Sequence, residues 1–190
     1  MKRRILFFTL GTLLTLVFAC DSNDAPEKEE LARNYYKALT DSDYAQIVAL
    51  HHDSIRVKEG PFISAYSKES YSNWFQWDSV FNPNYEILDF KIVDEGAEIT
   101  VSKVCERIEF LNGGPMVSKE ILHFKDHKIY EQEIAEFVSF DNKHWDAQRT
   151  KLVEWIDQNH PELNGFINDQ SLQGGLNYLK ALQLFQERNP

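Results

Sequence analysis

The amino-acid sequence predicts an α+β fold, with helices before and after an antiparallel sheet. Near both ends of the folded part, apolar residues recur every three or four positions, which is typical of amphipathic helices. Between residues 85 and 138, runs of β-branched and aromatic residues are separated by short turn signals. Because consecutive strands joined by tight turns must be antiparallel, this central region is predicted to form a meander.

The composition supports a folded domain and argues against one class of partner. Of the 190 residues, 43% are apolar and 26% are charged, which excludes a disordered chain. Thirty acidic residues against 20 basic ones give a net charge of −10. Nucleic-acid binding proteins draw much of their affinity from neutralising phosphates, so we expect no nucleic acid among the partners.

The first 20 residues have the pattern of an export signal. A basic start, Met1 to Arg4, precedes an uncharged apolar run over residues 5–19, which is shorter than the roughly 20 residues that span a bilayer. Ala19 directly precedes Cys20, and this junction resembles a bacterial lipoprotein signal. The resemblance implies a signal peptide over residues 1–19, a lipid on Cys20 and a polar tether over residues 20–28. It places the protein at the bacterial cell envelope, anchored to a membrane and facing the periplasm or the exterior. The alternative is an ordinary signal peptide with a chance cysteine.

Residues 29–81 are predicted to form three helices and one strand. A helix with Leu31, Tyr35 and Leu39 on one face starts at residue 29 and ends before residues 41–43. A second helix extends to His51, with Ser42 or Asp43 as its N-cap. A short strand over residues 54–59 ends at Gly60 and Pro61, and a third helix covers about residues 67–81.

The meander is predicted to contain four strands, over residues 85–93, 97–111, 116–125 and 128–138. The strongest turn signal lies at residues 112–115, and a tight turn at residues 126–127 joins the last two strands. In the second strand, apolar residues change from odd positions, such as Ile99, to even positions, such as Ile108. This change predicts a β-bulge. Cys105 is expected to be a buried, unreactive thiol.

Residues 141–190 are predicted to form a helical extension of the same domain. Leu152 and Trp155 belong to one helix, and a second helix follows Gly174 and Gly175. Fifty residues are too few for an independent core, so we expect both helices to pack back onto the sheet domain and to cover a face of the sheet.

Several stretches of residues 28–140 resemble the nuclear transport factor 2-like superfamily, which includes the SnoaL-like proteins. Residues 30–39 and 41–50 are similar to its first two helices. Residues 124–129 are similar to its last hairpin, with His127 in the place of the usual glycine. The resemblance implies a cone-shaped fold in which helices and a curved antiparallel sheet enclose a pocket. This superfamily contains both enzymes and binding proteins, so the fold does not determine the function.

The resemblance directs attention to polar and aromatic residues of the third helix and the long strands. The residues expected to line the pocket are Tyr35, Trp74, Trp77, Asp78, Arg107, Glu120 and His123. Asp78 and His123 are the catalytic candidates, because a desolvated carboxyl or imidazole group can exchange protons near neutral pH. Two alternatives stay open: Asp78 at a solvent edge, and His123 as a structural residue.

Arg107 and Glu120 are predicted to form a cross-strand ion pair if the loop at residues 113–114 has two residues. Such a pair either lies on the surface or holds an anionic ligand in the pocket. His51, His52 and Asp53 lack metal-ligand spacing, so we expect no metal and no cofactor.

The sequence therefore favours a lipid-anchored envelope protein that binds a small apolar or anionic ligand, or a protein partner, without catalysis. The alternative is an enzyme similar to ketosteroid isomerase, dehydratases or polyketide cyclases. In that enzyme Asp78 or His123 would be the base, and Tyr35 or Arg107 the electrophile. A third possibility is a structural role as a homodimer that associates through the sheet.

Overall fold

A computed structural model describes residues 24–94 and 96–188. The predicted signal peptide, Cys20 and the first residues of the predicted tether lie outside these ranges. Within these ranges the α-helices are α1 (Asp24–Thr40), α2 (Tyr44–Leu50), α3 (Lys68–Ser79), α4 (Glu106–Asn112), α5 (Asn142–Asn159) and α6 (Leu172–Glu187), and two short 3-10 helices lie between α5 and α6. The six strands are β1 (His51–Glu59), β2 (Phe62–Ser67), β3 (Asn84–Val93), β4 (Gly96–Val104), β5 (Met116–Lys125) and β6 (Lys128–Ser139). In the described ranges, none of the helices combines the length and apolarity that crossing a membrane requires.

The six strands form one curved sheet in the order β2-β1-β6-β5-β4-β3. Neighbouring strands are antiparallel except β1 and β6, which are parallel, so the sheet is mixed. The antiparallel order of β3, β4, β5 and β6 confirms the predicted meander. Register shifts occur within β3–β4, β5–β6 and β1–β6, and such irregularities bend and twist a sheet.

Two tight turns connect neighbouring antiparallel strands of the sheet. Asp126 and His127, both at positive φ (50° and 58°), form the tight turn between β5 and β6, so His127 adopts the backbone expected of it. Gly60, with φ 55°, and Pro61 connect β1 to β2, an edge strand that the sequence did not predict. The turn signal at residues 60–61 reverses the chain into a hairpin, whereas the prediction took it as the end of a lone strand.

Helix α4 corrects the prediction of a long second meander strand. Strand β4 ends at Val104, and α4 begins at Glu106, so residues 106–111 are helical. Ile108 and Leu111 are buried at a spacing of three, and Gly113 closes the helix in the left-handed region with φ 74°. The shift of apolar residues from odd to even positions therefore reflects the end of a strand and the start of a helix, and not a bulge.

Helix α1 is longer than predicted, and α2 ends at Leu50, because the predicted last residue of that helix, His51, begins strand β1. Helix α1 begins at Asp24, so residues 24–28 of the predicted tether belong to a helix. The break at residues 41–43 is confirmed: Ser42 has φ 54°, and the Asp43 carboxylate caps α2 by accepting the Gln46 N–H at 3.0 Å.

The buried residues form two clusters, and α3 contributes to both. The first cluster lies between α1, α2, α3 and the inner face of the sheet. The second lies between α3, α4, α5 and α6 and contains Phe81, Ile108 and Leu152. The C-terminal helices therefore pack on α3 and α4, and the prediction that they cover a sheet face is wrong. Gly174 and Gly175 lie within α6 rather than before it.

Candidate functional site

Tyrosine side chains occupy the space between α1, α3 and the inner face of the sheet. Tyr35 and Tyr36 come from successive positions of α1, Tyr71 from α3 and Tyr85 from β3. The rings of Tyr35 and Tyr36 pack edge to face with centroids 5.1 Å apart, and those of Tyr36 and Tyr85 are 6.0 Å apart. Where the superfamily resemblance implies a hollow, these aromatic rings pack against one another.

Glu120 lies in this interior and is held by three donors. The Tyr36 hydroxyl donates to its Oε2 at 2.8 Å, and the Gln132 amide donates to the same oxygen at 2.6 Å. The Ser118 hydroxyl donates to the other oxygen at 2.8 Å. Gln132 in turn accepts the Tyr35 hydroxyl at 2.9 Å, so the predicted site residues Tyr35 and Glu120 belong to one hydrogen-bond network. Both oxygens of this carboxylate already accept bonds from the protein.

Asp78 lies near the end of α3 and pairs with Lys103 of β4. The lysine Nζ donates to both carboxylate oxygens, at 2.9 and 2.7 Å, and lies 5.0 Å from the centroid of the Tyr85 ring. The Tyr85 hydroxyl lies 3.5 Å from the same carboxylate. Asp78 is only 4% exposed, so the alternative that places it at a solvent edge is wrong. It is a buried acid whose charge is compensated by a lysine.

Burial fixes the protonation state of the interior tyrosines. Desolvation raises the pKa of Tyr35, Tyr36 and Tyr85 well above the usual value of a tyrosine, and the nearby Glu120 carboxylate raises each further. These hydroxyls are therefore protonated at neutral pH. Tyr36 donates to the Glu120 carboxylate and Tyr85 to the Asp78 carboxylate, whereas Tyr35 donates to the Gln132 amide oxygen.

Arg107 does not face Glu120, and the predicted cross-strand pair is wrong. In the observed register Glu120 lies opposite Ile99, and Arg107 lies on helix α4. Its guanidinium group packs among three aromatic rings, 5.0 Å from the centroid of Trp77, 5.6 Å from that of Phe81 and 5.5 Å from that of Trp145. Arg107 and Trp77 therefore belong to the second cluster, away from the interior tyrosines.

His123 lies on the opposite face of the sheet from Glu120. Side chains alternate along a strand, and Glu120 and Leu122 face inward. His123 faces outward, opposite Glu131 of β6, and its Nε2 is 3.5 Å from Glu133 and 4.0 Å from Glu131. His123 is therefore not part of the interior group in which it was predicted.

The three residues at the start of β1 do not converge. His51 is buried and its Nδ1 lies 2.8 Å from the Ile47 carbonyl oxygen. Burial lowers the pKa of His51 to about 4, so its ring is neutral at neutral pH and donates to that carbonyl. His52 faces Asp126 at 3.6 Å, and Asp53 is exposed.

Trp74 lines a groove at the open end of the sheet, which we call the β2 groove. It has a volume of about 220 Å³ and is bordered by both strands of the β1–β2 hairpin, α3 and β6. Phe62, at its rim, is 75% exposed. The lining residues are Val57, Glu59, Phe62, Ser64, Tyr66, Trp74 and Ile134.

Lys103, Tyr36 and Gln132 complete the two interior networks and were not predicted from the sequence. A signal was present for Lys103, because it shares the odd positions of Ile99 and Val101 and so had to face the core. Gln132 could not be placed without knowing the register shifts between β5 and β6.

Comparisons with known proteins identify similar folds among solved structures but no relative of similar sequence. The sequence matches no family model and no curated protein. A protein from Kribbella flavida DSM 17836 has a similar structure, with a TM-score of 0.50, 14% identity and coverage of 66% of this chain and 95% of that protein.

Two further solved structures have lower scores. A nuclear transport factor 2-like protein of unknown function from Cytophaga hutchinsonii has a TM-score of 0.46 and 10% identity, covering 58% of this chain and 88% of that one. A SnoaL-like protein of unknown function from Burkholderia thailandensis has a TM-score of 0.48 and 11% identity, covering 60% and 95%. The order of the elements and the curved six-strand sheet behind helices show that this chain has the cone-shaped nuclear transport factor 2-like fold.

Proposed function

We propose that this chain is a lipid-anchored envelope protein whose domain binds a small apolar ligand in the β2 groove and catalyses no reaction. The observation that carries the proposal is that the carboxylates of both interior acids are already bound by other side chains of the protein. Asp78 pairs with Lys103, and Glu120 accepts bonds from three protein donors. A general base needs a lone pair within reach of a substrate proton. The oxygens of these two carboxylates instead accept hydrogen bonds from side chains of the protein.

The enzyme alternative has less support from the same geometry. Its second candidate base, His123, lies on the outer face of the sheet, while Tyr35 lies in the interior. Its second electrophile, Arg107, lies in the other cluster of buried residues. Because an acid–base pair must meet on one substrate, Asp78 and Tyr35 are the one combination of these four residues that shares the interior, and the Asp78 carboxylate is paired with Lys103.

The β2 groove has the chemistry of a site for a small apolar molecule. Val57, Phe62 and Trp74 supply apolar surface, and Ser64 and Tyr66 supply hydroxyl groups. Glu59 is the acidic residue of its lining, which argues against an anionic ligand at this position. The groove is smaller than the about 300–1,000 Å³ typical of sites for drug-sized ligands, so we expect a small ligand or the end of a longer one.

The Phe62→Ser variant tests the groove. The neutral apolar dye N-phenyl-1-naphthylamine is titrated into the full-length chain in detergent, at dye concentrations too low for measurable fluorescence from the micelles alone. Its fluorescence should rise when it binds the protein. A bound dye covers the Phe62 ring only in part, so removing the ring takes about 1 kcal/mol of apolar contact from the rim, and we expect dye affinity to fall several-fold.

Leu88→Ser is the matched control, because Leu88 is 51% exposed and lies on β3, the opposite edge of the sheet. Its dye affinity should equal that of the unmodified chain. Equal affinities for all three proteins would contradict binding in the β2 groove.

The Cys20→Ser variant tests the anchor. Cys20 follows an apolar segment in the pattern of a lipoprotein signal, and several acyl chains on one cysteine hold a protein firmly on a membrane. Produced in a bacterial host, the unmodified chain should fractionate with membranes and show a lipid adduct by mass spectrometry. The variant should lose both properties, with Cys105→Ser as the control that keeps them. Membrane association that is unchanged in Cys20→Ser would contradict lipid anchoring.

A further inference from the structure

We propose that His123, Glu131 and Glu133 form a binding site for a first-row divalent metal ion such as Zn²⁺ on the outer face of the sheet. The outer face is the side opposite the interior tyrosines. This inference departs from the sequence-based expectation of no metal. It is independent of the β2 groove, which lies on the inner face.

The three side chains converge because the strands hold them on one face. His123 of β5 lies opposite Glu131 of β6, and Glu133 follows two residues later on the same face. Each residue can offer one ligand atom to a common point, and these three atoms lie within 4.8 Å of one another. His123 is 7% exposed, and the carboxylates are largely buried, so the cluster is more than a group of surface acids.

Two cations of β1 orient the carboxylates. Arg56 binds Oε2 of Glu131 at 3.1 Å, which leaves Oε1 facing His123. Lys58 binds Oε1 of Glu133 at 2.7 Å, which leaves Oε2 facing the same imidazole nitrogen at 3.5 Å. Each carboxylate thus uses one oxygen for β1 and turns the other toward His123. Outer partners that fix the ligands in this way are a regular part of metal sites.

The donor set and its spacing fit zinc better than the alkaline-earth ions. Ca²⁺ and Mg²⁺ prefer oxygen ligands alone, whereas an imidazole nitrogen with two carboxylates suits Zn²⁺ and its neighbours. With bonds of about 2.0–2.2 Å, the ligand atoms of a tetrahedral zinc lie roughly 3.4 Å apart. The 3.5 Å between His123 and Glu133 already meets this spacing, and the 4.0 Å between His123 and Glu131 exceeds it by roughly 0.6 Å.

The positive charges of Arg56 and Lys58 lower the expected affinity of the site for a metal ion. They balance the two carboxylates, so the site attracts a cation less than an isolated acidic pair does. The imidazole nitrogen then provides the discrimination between metals. A fourth position stays available for water, since the chain supplies three ligands.

The experiment uses the untagged full-length chain in detergent, titrated with Zn²⁺ by calorimetry and with Co²⁺ by visible absorption. We expect saturable one-to-one binding. His123→Gln and Glu133→Gln should each weaken it by more than about tenfold, because the loss of even an outer partner costs about 10–100-fold. Melting curves without metal establish that each variant folds, and Glu133→Gln, at the less buried position, decides the matter if His123→Gln does not fold.

His160→Gln is the matched control, because His160 and Glu162 form an exposed pair at 3.3 Å away from the sheet. It should bind Zn²⁺ as the unmodified chain does. No saturable binding, binding unchanged in both ligand variants, an equal loss in His160→Gln, or Ca²⁺ binding as tight as Zn²⁺ binding would each overturn the proposal.

Discussion

At the scale of single residues, the pair of Asp78 and Lys103 shows how a partner determines the role of a buried acid. From the sequence, a carboxyl group among Trp74, Trp77 and Phe81 suggests a desolvated acid that lines a ligand pocket. In the structure the lysine Nζ contacts both of its oxygens, and the two side chains are 6% and 13% exposed. The pair therefore contributes to the structure of the interior, and removing one member leaves the other charged and buried.

The Lys103→Met variant tests this role. Methionine keeps the volume of the lysine chain but leaves the Asp78 carboxylate without its cation, so we expect the free energy of unfolding to fall by about 3–5 kcal/mol. Urea denaturation measures the change.

Lys119→Met serves as the comparison, because Lys119 pairs with Glu136 on the exposed part of neighbouring strands. Exposed ion pairs contribute little, so this variant should unfold at the same urea concentration as the unmodified chain. Equal losses in both variants would contradict a special role for the buried pair.

The contrast between Lys103 and Arg107 indicates which residue-scale features a sequence can reveal. Alternation along β4 places Lys103 inward, since its neighbours at odd positions, Ile99 and Val101, are buried. The same rule fails for Arg107, because alternation holds only while the chain remains a strand. The position of Gln132 depends on register shifts between β5 and β6, which no local pattern records.

At the scale of elements, α4 and α6 explain why the second half of the chain was harder to predict. A seven-residue helix after a strand gives an apolar pattern that a bulged strand also gives. In α6, Gly174 and Gly175 have the appearance of a break before a helix. They lie inside it, at positions where other residues approach too closely for a side chain. A Cβ on Gly174 would lie 2.0 Å from the Asp169 carbonyl oxygen, and a Cβ on Gly175 would lie 2.8 Å from the Val80 side chain and 2.9 Å from the Trp77 carbonyl oxygen of α3.

Gly175→Ala tests this close approach. Alanine gains roughly 1 kcal/mol in a helix interior, and overpacking costs about 1–3 kcal/mol. Because one of the atoms it would meet is a backbone oxygen, we expect the steric cost to prevail and the melting temperature to fall.

Gly114→Ala is the matched substitution, since nothing lies within 4 Å of the position of its Cβ. Its melting temperature should be unchanged. An increase in the melting temperature of Gly175→Ala would show that α6 can move away from α3.

At the scale of the whole molecule, the fold class and the order of the layers could be predicted from the sequence. Turn chemistry at residues 41–43 and 126–127 and periodicity within each segment are local properties, and the segments that they define exist in the structure except at residues 106–111, which are helical and were predicted as strand. The docking of α5 and α6 could not be predicted, because it depends on surfaces that α3 and α4 create only after folding. The outer cluster of His123, Glu131 and Glu133 likewise depends on strand pairing.

Helix α3 joins the two halves of the molecule through adjacent residues. Trp77 packs with the C-terminal helices, and Asp78, the next residue, binds Lys103 of the sheet. A small rotation of this helix about its own axis would loosen contacts on both sides at once. Residues 141–190 are consequently an integral part of the domain. A protein engineer who shortens or exchanges them also has to redesign the residues of α3 that face the sheet.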